Sequence, residues 1–224
     1  LDRLTQLWLS YTVSERKQQL DTYRSAFDEI VRRLLTKKKT KLGRVAAILD
    51  ASWSTRGSVE KKHRSLGVAL GVSRILASYS TSYLPLWTTD FDDELLCTSK
   101  GQTDLATPLL KALRWKAALI VIVSDGYENA PAGAANEIMR VYRSKISEEP
   151  RILHLNPVYN PKEYAPQSLG SHITTVGLRD AENIIVLLDL IFRVLKESNI
   201  HTLRALLVQR AKSYIKRGIQ NEKS

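Results

Sequence analysis

Three observations predict an α/β fold with a doubly wound, mainly parallel sheet, helices on both faces, and flanking N- and C-terminal helices. From Arg44 to Leu195 short apolar runs alternate with amphipathic stretches, the spacing of βαβ units. Two of those runs, residues 45–49 and 117–123, are apolar at successive positions, as in strands covered on both faces. The composition, 43% apolar and 25% charged over 224 residues, is that of an ordinary globular chain. It is long enough for one substantial domain with extra structure.

The elements follow in order. Leu20, Tyr23, Phe27, Val31 and Leu34 recur at helical spacing, so residues 1–43 read as a helical arm. That arm ends in the basic linker Lys37-Lys38-Lys39-Thr40-Lys41. After the strand at 45–49, Ser58 is placed to cap a helix with Glu60 in its first turn. The helix runs to about residue 78 on a stripe of Leu66, Leu70, Ser73, Leu76 and Ala77. Gly67 and Gly71 within it predict close approach to a sheet. Residues 83–88 read as a strand and 94–98 as another, short one. A helix is expected over 104–113, with Pro108 tolerated only near its first turn. The strand at 117–123 precedes a helix over 133–146, and strands follow at 151–155 and 172–176. Asp180 caps a strongly apolar helix through Ile184, Leu188, Ile191 and Leu195. Ile200, Leu203, Leu207, Ala211 and Tyr214 mark a last helix, so the domain spans 44–195 and the tail 196–224.

The net charge of +11 is concentrated at the two ends. Residues 1–43 hold ten Lys or Arg against five Asp or Glu, and residues 196–224 hold seven against two. The middle, with seventeen against sixteen, is almost neutral. A neutral centre argues against a site that captures polyanions, and leaves the flanks as candidate contacts for nucleic acid, acidic lipid or an acidic partner. Both amphipathic flanks need cover. Once covered, they are expected to leave Arg16, Lys17, Arg24, Arg32, Arg33, Arg210, Lys212, Lys216 and Arg217 mainly exposed. No aromatic residue interleaves with the 37–41 run to stack on bases.

Several classes are disfavoured. No apolar run is long enough for a membrane span, and no basic-apolar-small signal pattern opens the sequence. The single cysteine, Cys97, allows no internal disulfide and no cysteine-based zinc site, which favours a reducing, cytoplasmic setting. The glycine fingerprint of dinucleotide sites, the phosphate-binding P-loop and the Gly-x-Ser-x-Gly elbow are all missing. His63, His154, His172 and His201 are scattered without ligand spacing, each reading as a surface or satisfied histidine. A haloacid dehalogenase-type phosphotransferase would need a second Asp where Ser52 stands. An enzyme and a small-molecule substrate are therefore not expected.

In parallel sheets ligands bind beyond the carboxyl ends of the strands, so the chemistry belongs in the strand-to-helix loops. After the first strand comes Asp50-Ala51-Ser52-Trp53-Ser54. Oxygen-bearing side chains at i, i+2 and i+4 of an extended loop point the same way. One carboxylate and two hydroxyls are hard donors suited to a divalent cation such as Mg²⁺. After the strongest strand comes Ser124-Asp125-Gly126, and between the two lies Gly101-Gln102-Thr103-Asp104.

This constellation resembles the von Willebrand factor A family and its metal-ion-dependent adhesion site. The family pattern is Asp-x-Ser-x-Ser, then a Thr in a later loop, then an Asp usually followed by Gly. Here Asp50, Ser52, Ser54, Thr103 and Asp125 fill those positions, with Gly126 next. The order of elements also looks like that Rossmann-like family over 44–195, about two thirds of the chain. The resemblance implies direct metal contact from Ser52, Ser54 and Thr103, with Asp50 and Asp125 acting largely through waters. It implies Mg²⁺ first, with Mn²⁺ or Ca²⁺ as alternatives, and an open position for an Asp or Glu of a protein partner. Trp53 departs from the Gly that many members carry there, and either packs down or lines the ligand surface. Tyr127, Glu128 and Asn129 would ring the metal.

Two further readings share the motif. The Ro ribonucleoprotein family joins a similar domain to an RNA-binding helical part, which the basic flanks invite, though they are too short for its repeat array. Some intracellular members of the A family dock on an ATPase or a larger assembly. The expectation from sequence is an intracellular module binding an exposed acidic residue of a protein through a divalent cation.

Overall fold

The computed structural model describes residues 1–38, 41–57, 62–158 and 166–196. It is an α/β protein: among the described residues it has five parallel strands and seven α-helices. Residues 1–182 and 183–224 form two separate units. No described helix is long and apolar enough to cross a membrane.

The N-terminal region holds three helices: α1 (Asp2–Ser10), α2 (Val13–Gln18) and α3 (Leu20–Leu35). Thr12 caps α2 in a reciprocal box with Glu15, which accepts the Thr12 amide at 2.7 Å. On α3 the expected stripe buries Phe27 and Val31 completely. The sheet follows: β1 (Leu42–Leu49), α4 (Arg64–Tyr79), β2 (Ser80–Trp87), α5 (Ala106–Arg114), β3 (Leu119–Val123), α6 (Ala134–Lys145), β4 (Arg151–Asn156) and β5 (Thr174–Gly177). The second unit contributes α7 (Asn183–Lys196). Ser58, Glu60, Lys39 and Thr40, and the expected helix beyond residue 200, lie outside the described residues.

Strand order is β2-β1-β3-β4-β5. The chain therefore steps from β1 outward to β2, then returns to lay β3 on the other side of β1. That reversal opens a crevice between the carboxyl ends of β1 and β3, the place where open parallel sheets bind ligands. Leu49 pairs with Val123 across this seam, so the residues after each strand stand side by side at one level. Alternate residues Ala46, Ile48, Ile120, Ile122 and Ile152 pack with Leu105, Leu109 and Ala112 of the α5 region and with Ala135 and Met139 of α6. A second cluster joins Trp8 and Leu9 of α1, Phe27 of α3 and Leu66 and Leu70 of α4 to Ala51, Leu95 and Cys97.

Three expectations are corrected. Residues 94–98 are not a strand: Glu94–Leu96 is a 3₁₀ turn, because the Asp93 carboxylate takes the Leu95 amide at 2.9 Å and curls the chain. Gly67 of α4 faces α1, and Gly71 faces Ala181 and Leu1, rather than the sheet. A Cβ on Gly67 would lie 3.2 Å from Thr5 Oγ1 on α1, and one on Gly71 would lie 2.7 Å from Ala181 Cβ and 3.4 Å from a Leu1 methyl. Arg16 is not exposed but 3% accessible, its guanidinium donating to the carbonyls of Leu95 and Cys97. Lys17, Arg32 and Arg33 are exposed and Arg24 is half-buried. Arg210, Lys212, Lys216 and Arg217 lie outside the described residues.

Candidate metal centre

Asp50 is the first residue past β1, and its amide donates to the last carbonyl of β3, Val123, at 2.9 Å. It is 1% exposed. Oδ1 accepts the Ser52 amide at 2.8 Å, which folds the loop into an Asx turn. The turn brings the Ser52 and Ser54 hydroxyls within 3.0 Å of each other. Ser52 is buried and Ser54 exposed, so this pair runs from the floor of the crevice to its mouth. Asp50 Oδ2 is buried and, among the described residues, has no hydrogen-bond partner.

Asp125 leaves β3 in the same way, one residue further on. Its Oδ1 accepts the Tyr127 amide at 3.1 Å, again spanning two residues, and it is 8% exposed. Gly126 adopts φ +85°, and a Cβ there would stand 2.5 Å from the Gln167 carbonyl oxygen. This is the local reason for the Asp-Gly pair: only glycine lets the chain turn left-handed against that backbone.

The Thr103 loop is bonded to both neighbours. Trp53 donates its amide to the Gly101 carbonyl at 3.2 Å, and Lys100 donates to Ala51 O at 2.7 Å. On the other side Thr103 O accepts from Asn129 and Ala130, both at 3.3 Å, while Thr103 N donates to Asn129 Oδ1 at 3.0 Å. Gly101, at φ +80°, makes the bend. Thr103 is buried. Asp50, Ser52, Ser54, Thr103 and Asp125 thus lie on three mutually bonded loops at one edge of the sheet.

Burial pushes the Asp50 carboxyl up to about 6, with the Asp125 charge adding to the rise and the Ser52 and Thr88 contacts opposing it. Burial also raises Glu128, whose Oε2 accepts the Ala135 amide at 2.9 Å. The donor set fits a hard divalent cation: three hydroxyls and two carboxylates, one of which has a buried oxygen without a partner among the described residues. Among the described residues no group of three or more His, Cys, Asp or Glu side chains that could hold a metal gathers, so a cation here would be held by two carboxylates together with hydroxyls. Around the mouth, Trp53 and Tyr127 are 58% and 61% exposed, and the Arg56 guanidinium sits 5.4 Å from the Trp53 ring.

Sequence reasoning missed the supporting shell. Thr88, just beyond β2, takes the Ala51 amide at 2.9 Å and reaches Asp50 Oδ1 at 3.5 Å. Asn156 at the end of β4 donates to the carbonyls of Asp125 at 2.9 Å and Gln167 at 3.0 Å. His154 is wholly buried, its ring nitrogens 3.0 Å from Ser124 Oγ and 3.0 Å from Thr175 Oγ1. Burial pushes it down to about 4, so it is neutral at physiological pH. The available signal was a polar residue at or just past the carboxyl end of an apolar strand, repeated at Thr88, Ser124 and Asn156.

No protein-family model matches the chain, and no curated protein matches it significantly.

Proposed function

We propose that this chain is a von Willebrand A-like module, residues 44–195, doubly wound with helices on both faces. In this reading it binds an acidic residue of a protein partner through a divalent cation, Mg²⁺ foremost. Asp50, Ser52, Ser54, Thr103 and Asp125 hold the cation. The observation that carries the reading is the buried Oδ2 of Asp50, without a partner among the described residues and set beside Asp125 at the reversal of strand order. A carboxylate there without a cation is penalised by burial and by its neighbour's charge, so a cation relieves both.

When bound, the cation supplies a Lewis-acid position for a partner's carboxylate oxygen. The residues of the chain do the rest. Asp50 and Asp125 balance the cation's charge, leaving it receptive because the remaining donors are neutral hydroxyls. Ser54, exposed at the mouth, marks the side from which the partner arrives. Trp53 and Tyr127 offer rigid apolar area on which the residues flanking that acidic side chain can pack. No general base or nucleophile is needed, which makes this a binding module rather than an enzyme, operating in the cytoplasm. A protein partner is favoured over nucleic acid because, in the described N-terminal flank, Arg16 of α2 is buried and Arg32 and Arg33 of α3 share Glu29.

Calorimetric titration with Mg²⁺ and Mn²⁺ tests the reading. Wild type is expected to bind and Asp50→Ala to lose binding while its circular dichroism is retained. Equal heats for the two proteins would reject the assignment. Capture of a partner that survives a chelator but not 0.5 M salt would instead favour the basic flanks, since phosphate contacts weaken steeply above about 0.2 M salt.

A further inference from the structure

We infer that Trp8 and Arg16 are positioning residues for the Thr103 arm of the cation site, making the N-terminal helices part of that site's machinery. The inference rests on the reading of the site given above. A strand at 94–98 would have passed its carbonyls to a neighbouring strand. With the chain curled at Glu94–Leu96, those carbonyls need other donors. Both come from the N-terminal region: Leu95 O receives Trp8 Nε1–H at 2.6 Å and Arg16 Nη1–H at 2.9 Å, and the same guanidinium nitrogen reaches Cys97 O at 3.0 Å.

Arg16 is buried and, among the described residues, forms no ion pair with a carboxylate. A buried guanidinium held by carbonyls, with no carboxylate paired to it among the described residues, is an expensive way to fill space, so an apolar side chain would serve better if packing were its only purpose. What it does instead is fix a stretch of main chain. From Cys97 that stretch runs straight into the site. Ser99 Oγ lies 2.7 Å from Thr55 Oγ1, Lys100 N donates to Ala51 O at 2.7 Å, and Gly101 O accepts from Trp53 N at 3.2 Å. Thr103 follows two residues later.

These bonds at 99, 100 and 101 remove the slack between the anchored carbonyls and the two hydroxyl-bearing loops. Ala51, between Asp50 and Ser52, belongs to the same apolar cluster as Trp8, Leu95 and Cys97, so the two routes from α1 converge. A shift of α1 and α2 therefore displaces both loops, and, by reciprocity, occupation of the site steadies α1 and α2.

The test uses the full chain with Mn²⁺ as probe. Trp8→Phe keeps an aromatic ring but removes the N–H, and Arg16→Met removes the guanidinium. Arg16→Lys keeps one charged donor and serves as the rescue. Mn²⁺ affinity, measured by calorimetry at a temperature where each variant is folded, is expected to fall roughly three- to tenfold in Trp8→Phe and Arg16→Met, with Arg16→Lys intermediate. Amide exchange without metal is expected to quicken at Lys100 and Thr103 more than in the β3 strand. Variants that melt earlier yet bind Mn²⁺ as wild type does would overturn the inference, showing that these side chains only stabilise the fold. Trp8→Phe and Arg16→Lys keep the question decidable if Arg16→Met does not fold. Failure of the site reading itself shows in the wild type, as absence of Mn²⁺ binding; failure of the positioning role shows only in the variants.

Discussion

The two carboxylate turns at the crevice are built alike and placed differently. Asp50 and Asp125 each accept the amide two residues ahead, at 2.8 and 3.1 Å, and each ends one of two adjoining parallel strands. Asp50 lies on the floor, with one oxygen lacking a partner among the described residues and its carboxyl pushed up to about 6. Asp125 sits nearer the mouth on a turn held from behind by Asn156, while neutral His154 holds the preceding Ser124. One turn therefore stores an electrostatic penalty that a cation can relieve. The other is fixed by steric and polar support that needs no cation.

The largest separation of the two is expected from glycine. Gly126→Ala should cost about 3 kcal/mol or more, since its Cβ would meet the Gln167 carbonyl at 2.5 Å in a left-handed turn. Gly101→Ala, on the loop bonded to the Asp50 turn, has a similar φ but its Cβ would stand 3.7 Å from its nearest neighbour, Thr89 Oγ1. It should cost about 1–2 kcal/mol. Urea unfolding of both variants decides; equal losses would show that backbone conformation, not close approach, sets the penalty.

Acid should act on the two turns with opposite signs. His154, held near 4, must charge to follow the unfolded chain, so stability falls as pH drops from about 6.5 to 4, by about 3 kcal/mol. Asp50, held near 6, gains a proton before the unfolded chain does, so the metal-free fold gains about 3 kcal/mol as pH falls from about 6 to 4. In wild type the two contributions nearly cancel. Asp50→Asn should expose the loss from His154, and His154→Gln the gain from Asp50, in melting temperatures recorded in chelator. Asp2, raised to about 7 mainly by burial, titrates in both variants and drops out of the difference. Parallel pH profiles for the two variants would show that the turns are not electrostatically distinct.

At pH 7.5 without metal, Asp50→Asn should be more stable than wild type by about 2 kcal/mol, and Asp125→Asn should gain less, since it removes only a neighbouring charge that adds to the rise at Asp50. Saturating Mg²⁺ should narrow the Asp50→Asn advantage by stabilising only the wild type. An Asp125→Asn protein that gains as much as Asp50→Asn would erase the distinction between floor and mouth. The smallest effect on folding is expected from Thr103→Ala, within about 1 kcal/mol. Its partner binding should nevertheless weaken measurably, and normal capture of a partner would show that this loop is not part of the contact surface.

Much of this arrangement was legible in the residues. The apolar runs and their spacing marked β1, β3 and β4, and the polar residues following the runs marked the crevice. The parts that escaped depend on contacts between segments distant in sequence. Nothing near Glu94 says that Trp8 and Arg16 will take its neighbours' carbonyls, so 94–98 reads as a strand when its local propensity alone is weighed. Gly67 and Gly71 announce a close approach but not its partner, which is found some sixty residues upstream for Gly67 and over a hundred downstream for Gly71. A charged side chain on an amphipathic helix is expected to be solvated, and Arg16 departs from that expectation because its donors meet buried carbonyls.

The clamp on residues 95–97 also encloses the molecule's one thiol. Cys97 is fully buried and pushed up to about 12 by burial, so in the closed form it is neither ionised nor reachable by an alkylating reagent. Labelling can then proceed only through openings that lift this segment off α1 and α2, and its rate becomes a clock for those openings. The protein carries this clock without any introduced cysteine. Run with and without divalent cation, it would time how often the 95–97 segment loosens from α1 and α2.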